Sequence, residues 1–161
     1  MLILLDIDGV MVPANSWKSP DLLNDGFPGF SKNATLALRK IISETGAQIM
    51  LTTSHKSIFS LQKWREIFQS RGLELKEIKK LPDNTTHLSR KDEVLNWFAT
   101  NKVQDSFVII DDDKSLNALP VYLKDKLILT SGAIGLNNAH AEEAITLLKS
   151  ETNSVPGKGF Q

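Results

Sequence analysis

The sequence predicts an α/β domain: three layers, with a mostly parallel sheet between two sets of helices. Three features of the 161 residues point there. Short apolar runs recur along the chain, each too brief for a helix. Longer stretches between them carry apolar residues at helical spacing. Strands alternating with helices in this way pair in parallel through crossover connections. Finally, polar clusters close successive runs: Asp6 and Asp8, then Thr52-Thr53-Ser54, then Asp111-Asp112-Asp113. The carboxyl ends of parallel strands share one rim, which is where open α/β sheets bind ligands.

The elements follow in order. Residues 2–7 form the first strand, an apolar run that ends in Asp6-Ile7-Asp8-Gly9. Pro13, Pro20, Gly26, Pro28 and Gly29 mark residues 10–30 as a loop. Ser31 or Asn33 caps a helix to about residue 45, with Ala34, Leu38, Ile41 and Ile42 on one face, and Gly46 closes it. Ala47–Leu51 is the second strand. A helix is expected over 57–71, with Ile58, Leu61, Trp64, Ile67 and Phe68 inward, Ser54 as its cap and Gly72 as its stop. Residues 74–79 read as an edge strand and 82–88 as turns. Ser89 starts a helix over 90–100 with Val94, Trp97 and Phe98 inward. Phe107–Ile110 is a continuous apolar strand, and Asp113 after it reads as a cap or a solvated acid. A short helix or turn leads to a strand at 126–130. The last helix, 138–149, turns Ala141, Ala144, Ile145 and Leu148 inward. Residues 1–150 are expected to be a single domain, and 151–161, with Pro156, Gly157 and Gly159, a flexible C-terminal tail.

Bulk properties narrow the function. Nineteen basic and nineteen acidic residues give zero formal net charge, which argues against a protein that coats a polyanion. Without cysteine the chain has no disulfide, thiolate metal site or cysteine nucleophile. No leader and no apolar run of spanning length is evident, so a cytoplasmic protein with no membrane partner is expected.

Two carboxylates as close as Asp6 and Asp8 are costly unless a cation joins them, and an all-oxygen set suits Mg2+. Hydroxyls at the second strand end and a cation at Arg90 or Lys91 complete the inventory. Acids, hydroxyls and a cation around one crevice suit phosphoryl transfer, in which catalysis is mainly positioning and charge neutralisation. Arg90 and Lys91 open a helix where the dipole disfavours cations, which supports an anionic partner there.

The order of these motifs resembles the haloacid-dehalogenase-like (HAD) superfamily of phosphatases and phosphotransferases. The matching residues are Asp6-Ile7-Asp8-Gly9-Val10, then Ile49-Met50-Leu51-Thr52-Thr53, then Arg90 or Lys91, then Ile109-Ile110-Asp111-Asp112. A small-cap branch, the HAD domain of Swiss-army-knife RNA-repair proteins, is similar in more detail. Pro28-Gly29, Arg90-Lys91-Asp92-Glu93-Val94-Leu95-Asn96-Trp97-Phe98, Asp111-Asp112-Asp113, Thr130 and Gly135-Leu136 carry that likeness. The chain departs from it at His55-Lys56, where Trp-Arg is commoner.

The resemblance implies a Rossmann-like, HAD-type fold without a large cap domain, and a Mg2+-dependent phosphomonoester hydrolase. It implies Asp6 as nucleophile, forming an aspartyl-phosphate, and Asp8 as acid and base. Mg2+ would be held by Asp6, the Asp8 carbonyl and an acid of the fourth motif, with Asp112 direct and Asp111 its support. Thr53, or Thr52 in the other register, would bond a phosphoryl oxygen. Arg90 fits the Arg-x-x-Glu spacing and Lys91 the usual lysine. The short segment after the first motif implies an open site, suited to a phosphorylated substrate such as a nucleotide or a nucleic-acid end. Two other readings stand beside the enzyme: a receiver-like phosphoacceptor module and a non-catalytic HAD-fold interaction protein. Trp17 is read equally as core or as a stacking residue, and His55 as a substrate contact or a surface residue.

Overall fold

The computed structural model describes residues 1–14 and 20–154. Trp17 and residues 155–161 of the expected tail lie outside the described residues. Five strands form one sheet: β1 (Leu2–Leu5), β2 (Gln48–Leu51), β3 (Ile78–Lys80), β4 (Phe107–Asp111) and β5 (Leu127–Leu129). All pairs are parallel, in the order β3-β2-β1-β4-β5. A receiver-type sheet instead sets β1 between β2 and β3. Here β1 lies between β2 and β4, with Leu5 level with Leu51 on one side and Ile110 on the other.

Strand alternation sorts the core into two layers. Ile3, Leu5, Ile7, Ile49, Leu51, Val108 and Ile110 face α1 (Lys32–Thr45), α2 (Leu61–Ser70) and α5 (Asn138–Ser154). Leu4 and Ile109 face the other way, toward α3 (Arg90–Thr100), a 3-10 turn at Lys114–Ala118 and α4 (Val121–Lys124). β1 is buried on both faces, as a central parallel strand must be. Each fully buried Leu or Ile stabilises the fold by roughly 1.5–3 kcal/mol relative to exposure.

Local signals place most ends. Ser31 Oγ accepts from Ala34 N–H, and Gly46 closes α1 at φ +69°. Asn137 and His140 cap α5 reciprocally, through Asn137 N–H to His140 Nδ1 and His140 N–H to Asn137 Oδ1. Asp113 accepts from Ser115 N–H and so caps the 3-10 turn.

Some boundaries differ from expectation. Helix α2 begins at Leu61, not 57, and its cap is Ser60, whose Oγ accepts from Lys63 N–H, rather than Ser54. Residues 53–59 are taken up by turns closed by Lys56 N–H to Thr53 O and Ile58 N–H to His55 O. Ile58, at helical spacing in the sequence, is 60% exposed. β3 starts at Ile78 because Glu74, Lys76 and Glu77 have no buried face to fill. α5 continues to Ser154, past residue 149. No described helix is long and apolar enough to cross a membrane.

Candidate active site

Register places three polar residues in a row at the sheet's carboxyl edge. Leu5 is level with Leu51 and Ile110, so Asp6 follows level with Thr52 and Asp111. Asp6 is in phase with Leu4 and therefore faces α3. From the first turn of α3, Arg90 reaches down to the row. Its Nη1 lies 2.6 Å from Asp111 Oδ2 and 3.5 Å from Asp6 Oδ1. Lys91, one residue on and turned away by the helix, makes no ion pair with these acids among the described residues.

Asp112 completes the acidic group. One oxygen each from Asp6, Asp111 and Asp112 lie within 4.8 Å of one another. Both oxygens of Asp111 are engaged, Oδ2 by Arg90 and Oδ1 by Asp113 N–H at 3.0 Å. Asp112 lies over Gly9, whose φ is +82°; a Cβ there would stand 2.0 Å from Asp112 Oδ2. The buried Thr130 hydroxyl donates to Gly9 O at 2.8 Å and holds this turn in place. Leu136 N–H to Val10 O and Ala14 N–H to Gly132 O tie the loops after β1 and β5 together.

The electrostatics are those of a crowded anion site. Asp6 is only 5% exposed. Burial first, and the Asp111 carboxylate second, push its pKa from 3.8 up to about 9 despite Arg90. Burial likewise raises Asp111. One guanidinium does not balance three acids, and a further cation would. The donors are all carboxylate oxygens set within reach of one ion, so the site fits a hard divalent ion such as Mg2+.

Asp8 stands apart from the row. Its half-exposed carboxylate meets His55 Nε2 at 2.6 Å. Thr53 and Thr52 are both fully buried. Thr53 Oγ1 accepts from His55 N–H at 3.2 Å, whereas Thr52 Oγ1 has no hydrogen-bond partner.

The sequence marked Lys56 only as part of the departure at His55-Lys56 and Glu93 only as the Glu of Arg-x-x-Glu, and gave neither a role. Lys56 is 2% exposed, and its Nζ lies 2.8 Å from Glu93 Oε2. Glu93 Oε1 lies 3.8 Å from Arg90 Nε. Lys56 thus braces the helix turn that delivers Arg90. The only sequence signal was the Arg-x-x-Glu spacing, which puts Glu93 on the same face as Arg90. A buried lysine is too rare to expect from sequence.

A parallel sheet with Asp-x-Asp after its central strand β1, hydroxyls after β2 and an acid pair at the end of β4 is a haloacid-dehalogenase-like domain. No large cap covers it: the described residues between β1 and α1 form only isolated bridges. Within that class, the chain belongs to the family of HAD domains in Swiss Army Knife RNA repair proteins, which it matches over residues 2–141. No curated protein and no solved structure matches it.

Proposed function

We propose that the chain is a Mg2+-dependent phosphomonoesterase that works through an aspartyl-phosphate on Asp6. The observation that carries this reading is the row itself: a nearly buried Asp6 flanked by Asp111 and Asp112, with Arg90 held against it. Membership of a HAD family supports hydrolase chemistry in general.

Asp6, the Asp8 carbonyl and Asp112 would hold the ion, with Asp111 and Arg90 setting the position of Asp112's neighbours. Bound there, Mg2+ would neutralise carboxylate and phosphoryl charge. A carboxylate oxygen of Asp6 attacks phosphorus as the ester P–O bond breaks. Asp8 gives its proton to the departing oxygen. In the second half it takes a proton from the water that attacks the aspartyl-phosphate, releasing inorganic phosphate and restoring Asp6. Thr53 keeps a hydroxyl proton to donate to a phosphoryl oxygen, and Thr52 supplies the hydroxyl that lacks a partner. Arg90 offsets phosphoryl charge from the α3 side, and Lys91 remains a surface cation near it.

The open site admits a phosphate at the end of a larger molecule. The family's setting in RNA repair makes a nucleotide or a nucleic-acid end the favoured carrier. Hydrolysis of 4-nitrophenyl phosphate should require Mg2+ and fall at least about 1000-fold in Asp6→Asn. Activity that survives this change sinks the nucleophile assignment. A panel of nucleotides, sugar phosphates and 3′- or 5′-phosphorylated oligonucleotides tests the carrier. Higher kcat/KM on sugar phosphates than on every oligonucleotide would reject a nucleic-acid end.

A further inference from the structure

Asp8 has a partner that the phosphoryl-transfer steps leave idle. We propose that His55 is a positioning residue for Asp8: its Nε2–H holds Asp8 Oδ2, leaving Oδ1 as the oxygen that carries the working proton. This role rests on the phosphomonoesterase reading.

The contact is short, 2.6 Å from Nε2 to Oδ2. His55 is also held at its backbone and at one edge of its ring. Its backbone N–H donates to Thr53 Oγ1. The Phe27 ring meets it at 5.8 Å in a T-shaped arrangement. Phe27 is itself wedged against Trp64, with ring centroids 5.1 Å apart, and against Phe59 at 6.1 Å. Trp64 is fully buried and anchored through its Nε1–H to Lys56 O. The ring that touches Asp8 thus packs against a ring anchored in the core, although the His55 and Asp8 side chains are 37% and 50% exposed.

One tautomer serves both halves of the reaction. When Asp8 is ionised, Oδ2 accepts the Nε2–H bond. When Asp8 is protonated on Oδ1, Oδ2 is a carbonyl oxygen and still accepts it. His55 neither gains nor loses a proton in either step. The proton passes from Asp8 Oδ1 to the leaving oxygen as its bond to phosphorus breaks. In the second half the attacking water returns a proton to Oδ1. A fixed Oδ2 removes the carboxyl's rotation between its two equivalent arrangements, which is the gain that positioning supplies.

The test compares an ester that needs proton donation with one that does not. An alkyl phosphate expels a strongly basic alkoxide unless it is protonated, whereas 2,4-dinitrophenyl phosphate leaves unaided. kcat/KM reports the steps through leaving-group departure. His55→Phe keeps a ring against Phe27 and removes the donor. It should lower kcat/KM for the alkyl ester by about 10- to 100-fold and for the dinitrophenyl ester by less than about 3-fold. His55→Gln, which retains an amide donor, should recover most of the alkyl-ester rate. If the Phe variant fails to fold, His55→Asn, one methylene too short to reach, should show the same split against Gln. Equal losses on both esters, no loss on either, or a Gln variant no better than Phe or Asn would overturn the proposal. A wild-type protein that hydrolyses neither ester overturns the phosphomonoesterase reading itself, and the positioning role falls with it.

Discussion

Gly9 sits at φ +82° with the Asp112 carboxylate where its side chain would be. Two separate penalties therefore meet in Gly9→Ala. An L-residue in the left-handed region costs about 1–2 kcal/mol. The methyl also drives Asp112 Oδ2 out of its place, since 2.0 Å is far inside contact distance. Gly132→Ala separates the two: its Cβ would come 2.8 Å from the same oxygen, without the left-handed backbone. We expect Gly9→Ala to lower the melting temperature by roughly 4–8 °C and to weaken Mg2+ binding. Gly132→Ala should weaken Mg2+ binding with a smaller thermal loss. Calorimetric titration with Mg2+ beside thermal unfolding reads both, and unchanged Mg2+ affinity in both variants would remove Asp112 from the ligand set. Gly9 was legible in the sequence as the turn after Asp-x-Asp. Its packing on Asp112 was not, because the two are joined only through the sheet.

At the scale of elements, the loop from Leu22 to Pro28 carries Phe27, and α2 holds that loop. Arg71 just past the end of α2 bonds Asp25 through two nitrogens, at 2.6 and 3.1 Å, and reaches Phe27 O at 3.0 Å and Pro28 O at 2.8 Å. A lysine has one point of attachment where this fork has several. Arg71→Lys should cost about 1–2 kcal/mol, read by chemical denaturation. The Arg71 hydrogen bond lowers the Asp25 pKa from 3.8 to about 2. A lowered folded-state value means stability present above pH 4 and lost as pH falls toward 2. Asp25 is partly exposed and so screened, and the contribution is about 1 kcal/mol. Asp25→Asn should therefore be less stable than wild type at pH 7, with the gap closing between pH 4 and 2. A gap that stays constant over this range would deny the ion pair any part in stability. Sequence spacing did not reveal the clamp. It also misplaced the start of α2, because Ile58 matches the period of Leu61, Trp64 and Phe68, while the chain spends residues 53–59 on turns that bury Lys56 and aim His55. Periodicity records which residues are apolar; it does not record that three residues of a strand end are needed at a site.

Across the whole molecule, β1, β2 and β4 were readable because they are buried on both faces and so nearly continuous in apolar residues, whereas β3, Ile78-Lys79-Lys80, is not and its start was misplaced. The acids were readable because they recur, with hydroxyls, at the ends of several such strands; a single one can be a cap, as Asp113 is. Strand order, the choice of Arg90 over Lys91 as the residue that meets the acids, and the Lys56–Glu93 brace depend on contacts between distant segments, and only the folded chain shows them. That same folded arrangement concentrates repulsion at one place and makes the site a cost to stability. Asp6 has a folded-state pKa raised from 3.8 to about 9, chiefly by burial. The sign is opposite to that of Asp25. The native state binds a proton that the unfolded chain releases, so the metal-free protein loses stability as pH rises from about 4 to 9. Asp6→Asn removes both the buried charge and the proton demand. We expect it to melt higher than wild type without Mg2+, by roughly 2–6 °C at pH 7.5, with an advantage that grows from pH 5 to pH 9. Saturating Mg2+ should reverse the ranking, because the wild type binds the ion and the variant has lost a ligand. Thermal unfolding of both proteins at several pH values, with Mg2+ and with chelator, measures all three effects. A metal-free Asp6→Asn protein that melts below wild type at every pH would show that the acid row is not strained. The case that it awaits a cation would then fail.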